Sequence, residues 1–98
     1  MTIDTKNLQE QYEEVEALFI AELKMSLPIS EADAIEMFRY IARYLRKDKR
    51  GGNGKLKYSA KFLLDHHLPA ARVLTWLKNH GAYCDTEVLY NVAYCFKW

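Results

Sequence analysis

The chain reads as one small, mainly α-helical domain, a helical bundle whose C-terminal half is helix-turn-helix-like. Three observations lead there. Apolar residues recur at three- and four-residue spacing over most of the length, and Pro28, Gly81 and the Gly51-Gly52-Asn53-Gly54 cluster separate these stretches. With 98 residues, half of them hydrophobic, the chain can fill one core and is too apolar for a disordered tail.

Leu8, Tyr12, Val15, Phe19 and Leu23 step by four and three, which predicts an amphipathic helix of about 20 residues. Glu10, Glu13, Glu14 and Glu16 take its wet side, and Leu18 and Ile20 widen the apolar surface beyond a narrow stripe. Pro28 prevents simple continuation. Ser30 is the expected N-cap of a second helix, with Glu31 and Asp33 at the positive end of its dipole. Ala34, Ile35, Phe38, Ile41, Ala42 and Leu45 form its inner face. Arg39, Arg43, Arg46 and Lys47 gather at one-turn spacing toward its C-terminal end, where cations are favoured. The two helices make an N-terminal pair over residues 1–50.

Residues 51–57 are expected to form a flexible, basic, glycine-rich loop. Residues 58–98 make the helix-turn-helix-like half. Ser59 is the expected cap of a short helix with Phe62, Leu63 and Leu64, which breaks near His66-His67-Leu68-Pro69. Pro69 suits the first turn of the next helix, which carries Ala70, Val73, Leu74 and Leu77 inward and stops at Gly81. Residues 86–96 admit two readings. Val88, Tyr90, Val92, Tyr94 and Phe96 alternate as a strand would, whereas Val88, Leu89, Val92 and Phe96 repeat as a helix capped by Asp85. The helix is favoured, because a lone strand has no partner here. One short terminal strand is the alternative.

Phe62, Leu63, Leu68, Val73, Trp76, Leu77, Gly81, Tyr83, Cys84, Asp85, Glu87, Val88, Leu89, Asn91 and Val92 carry a recognisable pattern. In these residues the segment Lys55–Val92 resembles the bacterial domain of unknown function family 2695. Its members show Trp-Leu, a glycine-containing turn, Tyr-Cys-Asp-Cys-Glu-Val-Leu and Asn-Val. The resemblance implies a shared scaffold. Thr86 stands where that pattern has a second cysteine, and Lys55-Leu56 where another cysteine often precedes the helical pair. Metal or disulfide chemistry of those cysteines is therefore not implied for this chain.

Several chemistries find little support in the residues. No apolar run approaches the ~20 residues of a membrane span. Met1–Lys6 lacks the basic and apolar regions of an export signal, so a cytoplasmic setting with reduced Cys84 and Cys95 is expected, each a small buried hydrophobe. His80 and Cys84 are the one tolerable metal-ligand pair, and Gly81 breaks the helix between them. Cys84, His80 and Asp85 are the right types for a thiol nucleophile but lie side by side in sequence, without a surrounding signature. Asp85 is better explained as a helix cap, and His66 and His67 as turn residues. The Gly51–Gly54 cluster lacks the strand-and-helix setting of a phosphate loop. No cofactor, metal or catalytic residue is expected.

Charge distribution says more. Residues 1–36 hold nine acids against two bases, and residues 39–61 hold nine bases against one acid. Opposite fields thus cancel in the total of +1. Such sorting points to an anionic partner for the middle segment, or to attraction between the halves. The expected partner-binding residues are Glu13, Glu14 and Glu16 on one side, and Arg39, Arg43, Arg46, Lys47, Lys49, Arg50, Lys55, Lys57, Lys61 and Arg72 on the other. Tyr40, Tyr44, Tyr83, Tyr90, Tyr94, Trp76 and Trp98 are candidate aromatic anchors, with Trp76 and Tyr83 expected in the core. The sequence therefore favours a small non-enzymatic inhibitor or adaptor that docks on a larger protein, of a size common in phages and mobile elements. A nucleic-acid-binding helix-turn-helix regulator is the first alternative and a small thiol- or metal-dependent enzyme the second. A second copy of the chain is a further candidate partner.

Overall fold

In the computed structural model residues 5–48 and 54–98 are described, with side chains described at Leu8 and from Glu10 onward within those ranges. Five α-helices follow one another: α1 (Thr5–Met25), α2 (Glu31–Lys47), α3 (Lys57–Asp65), α4 (Ala70–Asn79) and the single turn α5 (Asp85–Glu87). The last runs on into a π turn, Val88–Val92, and a 3₁₀ turn, Ala93–Cys95. Among the described residues there is no strand. A terminal strand would have put Tyr90 and Tyr94 on the face of Val88 and Val92. Instead Val88 and Val92 are fully buried and the two tyrosines are exposed, because the segment winds one helical face inward.

Capping chemistry sets the boundaries. The Ser30 hydroxyl oxygen accepts the Asp33 N–H at 3.1 Å, as expected of an N-cap. Gly81, at φ 82°, closes α4: Ala82 N–H donates to the Leu77 carbonyl at 2.9 Å and Gly81 N–H to that of Lys78 at 3.1 Å. The Asn91 side-chain amide donates to the Gly81 carbonyl at 2.8 Å and ties this turn to the C-terminal segment. The same motif ends α3 without a glycine. His67 takes φ 55°, Leu68 N–H donates to the Leu63 carbonyl at 2.9 Å, and His67 N–H to that of Leu64 at 3.2 Å. Pro69 directly precedes α4 instead of lying in its first turn.

The start of α3 departs from expectation. Ser59 is inside its first turn, and Leu56, at the N-cap position, has no side chain able to cap. Asp85 supplies the missing acceptor from 26 residues away. One carboxylate oxygen accepts the Tyr58 N–H at 2.9 Å; the other accepts the Ser59 N–H at 3.0 Å and the Ser59 O–H at 2.6 Å. The Asp85 N–H in turn donates to the Lys55 carbonyl at 3.0 Å. Asp85 is thus a cap, but of α3; Cys84 precedes α5. Because α3 starts at Lys57, the expected loop loses its last residue, and Leu56 before it is buried. Residues 51–53 of that loop lie outside the described residues.

The core gathers Leu23, Met37, Phe38, Ile41, Leu63, Val73, Leu77, Val88 and Val92, all fully buried. One end of α1 is fixed to it. The Ser26 hydroxyl accepts from the Trp76 indole N–H at 2.9 Å and donates to the Leu23 carbonyl at 3.1 Å. Lys24 lies 3.8 Å from the Glu31 carboxylate and 5.3 Å from the centre of the Phe96 ring. At 1.5 Å per residue, the 21 residues of α1 reach about 31 Å. The helix outruns the body it is pinned to, and the molecule measures 56 × 29 × 21 Å.

Replacing Asp85 leaves the buried Ser59 donors without an acceptor. Asp85→Ala is expected to lower unfolding free energy by about 2–4 kcal/mol. Glu87→Gln, which touches only the exposed Tyr83 N–H at 3.1 Å, should lower it by at most about 0.5 kcal/mol. Urea midpoints of the two variants check the contrast.

Candidate functional site

Two surfaces stand out, and both are built on the N-terminal helical pair. The first is the free length of α1. At 100° per residue, Leu8, Tyr12, Val15 and Phe19 fall within about 60° of one another, and the buried Leu23 lies at the edge of the same face. The stripe that enters the core at Leu23 continues outward uncovered: Leu8 is 51 % exposed, Tyr12 69 %, Val15 65 %, Leu18 67 % and Phe19 42 %. Phe19 keeps one edge-on ring contact, 6.5 Å from His80. The same helical geometry sets Glu14 and Glu16 on either side of the stripe and Glu13 behind it. Glu16 and Tyr12 lie near Tyr94, whose hydroxyl is pushed above the usual tyrosine range, chiefly by partial desolvation although the ring is half-exposed.

The second surface is the outer face of α2. Arg39, Arg43, Arg46 and Lys47, all exposed, line a shallow groove of about 410 Å³ with Ala42 and the half-exposed Trp98. Trp98 is held by packing on Phe38, ring centres 6.1 Å apart. A second groove, about 420 Å³, adjoins it across Ala42 and Arg46 and is floored by Leu45, Leu89 and Tyr90. Arg39 is paired with Glu36 at 3.1 Å. The result is an apolar shelf with a cationic rim.

The remaining expected contact residues are dispersed. Lys47 sits 5.9 Å from the Tyr44 ring and Lys57 5.1 Å from the Tyr58 ring, and the two tyrosines stack at 5.7 Å. The Tyr58 hydroxyl donates to Asp48 at 2.9 Å, which holds it above its usual pKa. Lys61 is paired with Asp65 at 3.3 Å, and that bond raises its pKa. Lys55 is exposed before α3. Arg72 lines a different groove, with Ser26, Pro28 and Trp76. Lys49 and Arg50 lie outside the described residues. Of the ten expected cations, the structure gathers four on the α2 groove.

The Cys84 neighbourhood is occupied with structural bonds. Asp85 accepts three hydrogen bonds and is 2 % exposed. His80 Nδ1 lies 2.7 Å from the Trp76 carbonyl oxygen, which can only accept, so that nitrogen carries the proton. Among the described residues no three His, Cys, Asp or Glu side chains gather as a metal site would need. Tyr83, expected in the core, is 62 % exposed; its neighbour Ala82 takes the buried place beside the turn. No helix among the described residues is long and apolar enough to cross a membrane.

The residues missed as a surface are those of the α1 stripe, whose spacing alone predicts an inward face. The signal for exposure was length: a helix of about 31 Å is too long for the rest of so short a chain to cover.

Set beside known proteins, residues 37–91 match the family described as "Protein of unknown function (DUF2695)". The match starts in α2 and ends at residue 91, so it takes in the arginine face, α3, α4 and α5, and leaves out α1 and the last seven residues. No curated protein and no solved structure matches the chain.

The thiols should separate kinetically. Burial pushes the Cys95 thiol above its usual pKa, whereas Cys84 is only half-buried. At mildly alkaline pH a disulfide reagent should label one thiol fast and the second at least about tenfold slower, and Cys84→Ser should remove the fast phase. A raised folded-state pKa also means that this contribution to stability is present below the unfolded thiol's pKa. It is lost as pH climbs through the folded value.

Proposed function

The chain belongs to the DUF2695 family, whose description names no activity, and we propose that it acts without catalysis, by docking on a larger protein partner. The observation that carries this reading is the stripe Leu8, Tyr12, Val15, Leu18 and Phe19, left in water on a helix anchored at its other end. A contiguous apolar face of this size on a small protein marks a contact surface. Tyr12 and Phe19 offer the bulky rings that dominate interface energies. The flanking Glu14 and Glu16 define the partner: a groove with an apolar floor and a basic rim, where charge sets orientation and encounter rate. An inhibitor or adaptor needs nothing more.

A second reading, a nucleic-acid-binding regulator, draws support from the α2 groove, where four cations surround Trp98. Cations can follow a phosphate backbone while an indole stacks on a base. Against it, the would-be recognition helix α4 presents few base-reading side chains beyond Arg72 and Asn79.

Val15→Glu, on the exposed stripe, is expected to weaken capture of the partner from the native host by at least about tenfold while leaving the urea midpoint unchanged. If capture survives Val15→Glu and a DNA mobility shift disappears on Arg43→Ala/Arg46→Ala instead, the second reading replaces the first.

A further inference from the structure

The molecule carries both halves of a complementary pair. One is the acid-flanked apolar stripe of α1; the other is the apolar shelf of α2, rimmed by Arg39, Arg43 and Arg46. Within one chain they do not meet. The C-terminal end of α1 is pinned at Leu23 and Ser26, and the straight helix carries Leu8 to Phe19 away from that anchor. Folding the stripe back onto its own α2 would require breaking the helix.

We infer that a second copy of the chain covers these surfaces, with α1 of each protomer lying on the α2 shelf of the other in a reciprocal two-fold dimer. This rests on the reading of α1 as a docking element; in the dimer the second copy holds the stripe until a larger partner displaces it. Charge decides the pairing. Two α1 helices packed against each other, parallel or antiparallel and centred on the stripe, would bring the Glu13–Glu16 segments of both copies together, like charge on like. Packing α1 on α2 sets Glu14 and Glu16 against Arg43 and Arg46 instead. A reciprocal contact also closes, so it stops at two copies.

Area is sufficient. The five stripe residues offer on the order of 500 Å² per copy, so two arms and the shelves that receive them would bury about 2,000 Å², the size of a stable interface. The family match takes in the α2 arginines with Leu89 and Tyr90, and leaves out α1 and Trp98.

The test is the mass of the full chain in solution by light scattering or sedimentation, at about 0.05 M and 0.5 M salt. Wild type should be a dimer at low salt, with affinity falling at least about tenfold at high salt. Glu14→Lys/Glu16→Lys and Arg43→Glu/Arg46→Glu should each be monomeric at concentrations where wild type is dimeric. Their mixture should restore a one-to-one dimer, because every arm then meets a shelf of opposite charge. All four positions are exposed, so unchanged circular dichroism and urea midpoints show that the fold is intact. A wild type that stays monomeric overturns the inference. So does an Arg43→Glu/Arg46→Glu variant that still dimerises, which would indicate α1–α1 pairing, or one that stays dimeric and loses only a DNA shift. If wild type is monomeric and Val15→Glu still abolishes capture of a larger partner, the dimer alone falls and the docking function stands.

Discussion

The contact between the Asp85 carboxylate and the first turn of α3 is the constraint on which the rest of the body depends. The first N–H groups of a helix have no partner within it, and the N-cap position before α3 is Leu56, which has no side chain to offer them. Because Ser59 is fully buried, water cannot substitute. The acceptor comes from a residue at the head of the C-terminal segment, and the Asp85 N–H returns a bond to Lys55. This one side chain therefore fixes where α3 starts and where α5 lies. The pair α3 and α4 then follows from its two left-handed turn residues, His67 and Gly81. The Tyr-Cys-Asp stretch that looks most like chemistry in the sequence is used here to hold helices together.

A body braced in this way has a definite edge. Leu23, Ser26 and Lys24 mark where α1 leaves it. Beyond that edge the helix keeps a largely exposed apolar face, touched at Phe19 by His80 and at Tyr12 lying near Tyr94. Charge sorting in the sequence and shape in the structure thus express one arrangement: complementary surfaces on one molecule, held apart by a stiff helix.

What could be read from the sequence was what depends on neighbours along the chain. The Ser30 cap, the Gly81 stop, the period of α1 and the outward arginines of α2 all follow from local spacing, and the structure has them. What could not be read was which groups meet across the chain. Asp85 is recognisable as a cap, but the helix it serves lies 26 residues earlier, and no local rule selects it over its own. Ser59 has the right residue type for a cap and is instead the donor that Asp85 receives. Tyr83 follows a buried Ala82 at a helix stop, and a one-residue change in the direction of the turn decides which of the two is inside. The terminal segment satisfied both strand and helix periods, and the burial of Val88 and Val92 against α2 settled it. For the two exposed surfaces, composition announced the charges, while the exposure of Leu8, Tyr12 and Val15 needed the shape of the body.

The structure is a braced C-terminal body with an α1 arm that projects from it. Native-state amide hydrogen exchange on the dilute, high-salt monomer tests it most directly. The Tyr58 and Ser59 amides should exchange only through global unfolding, and protection should fall steeply along α1 from Leu23 to Tyr12. Equal protection of Tyr12, Val15 and Ser59 in the monomer would contradict it, because the arm would then be packed against something within its own chain.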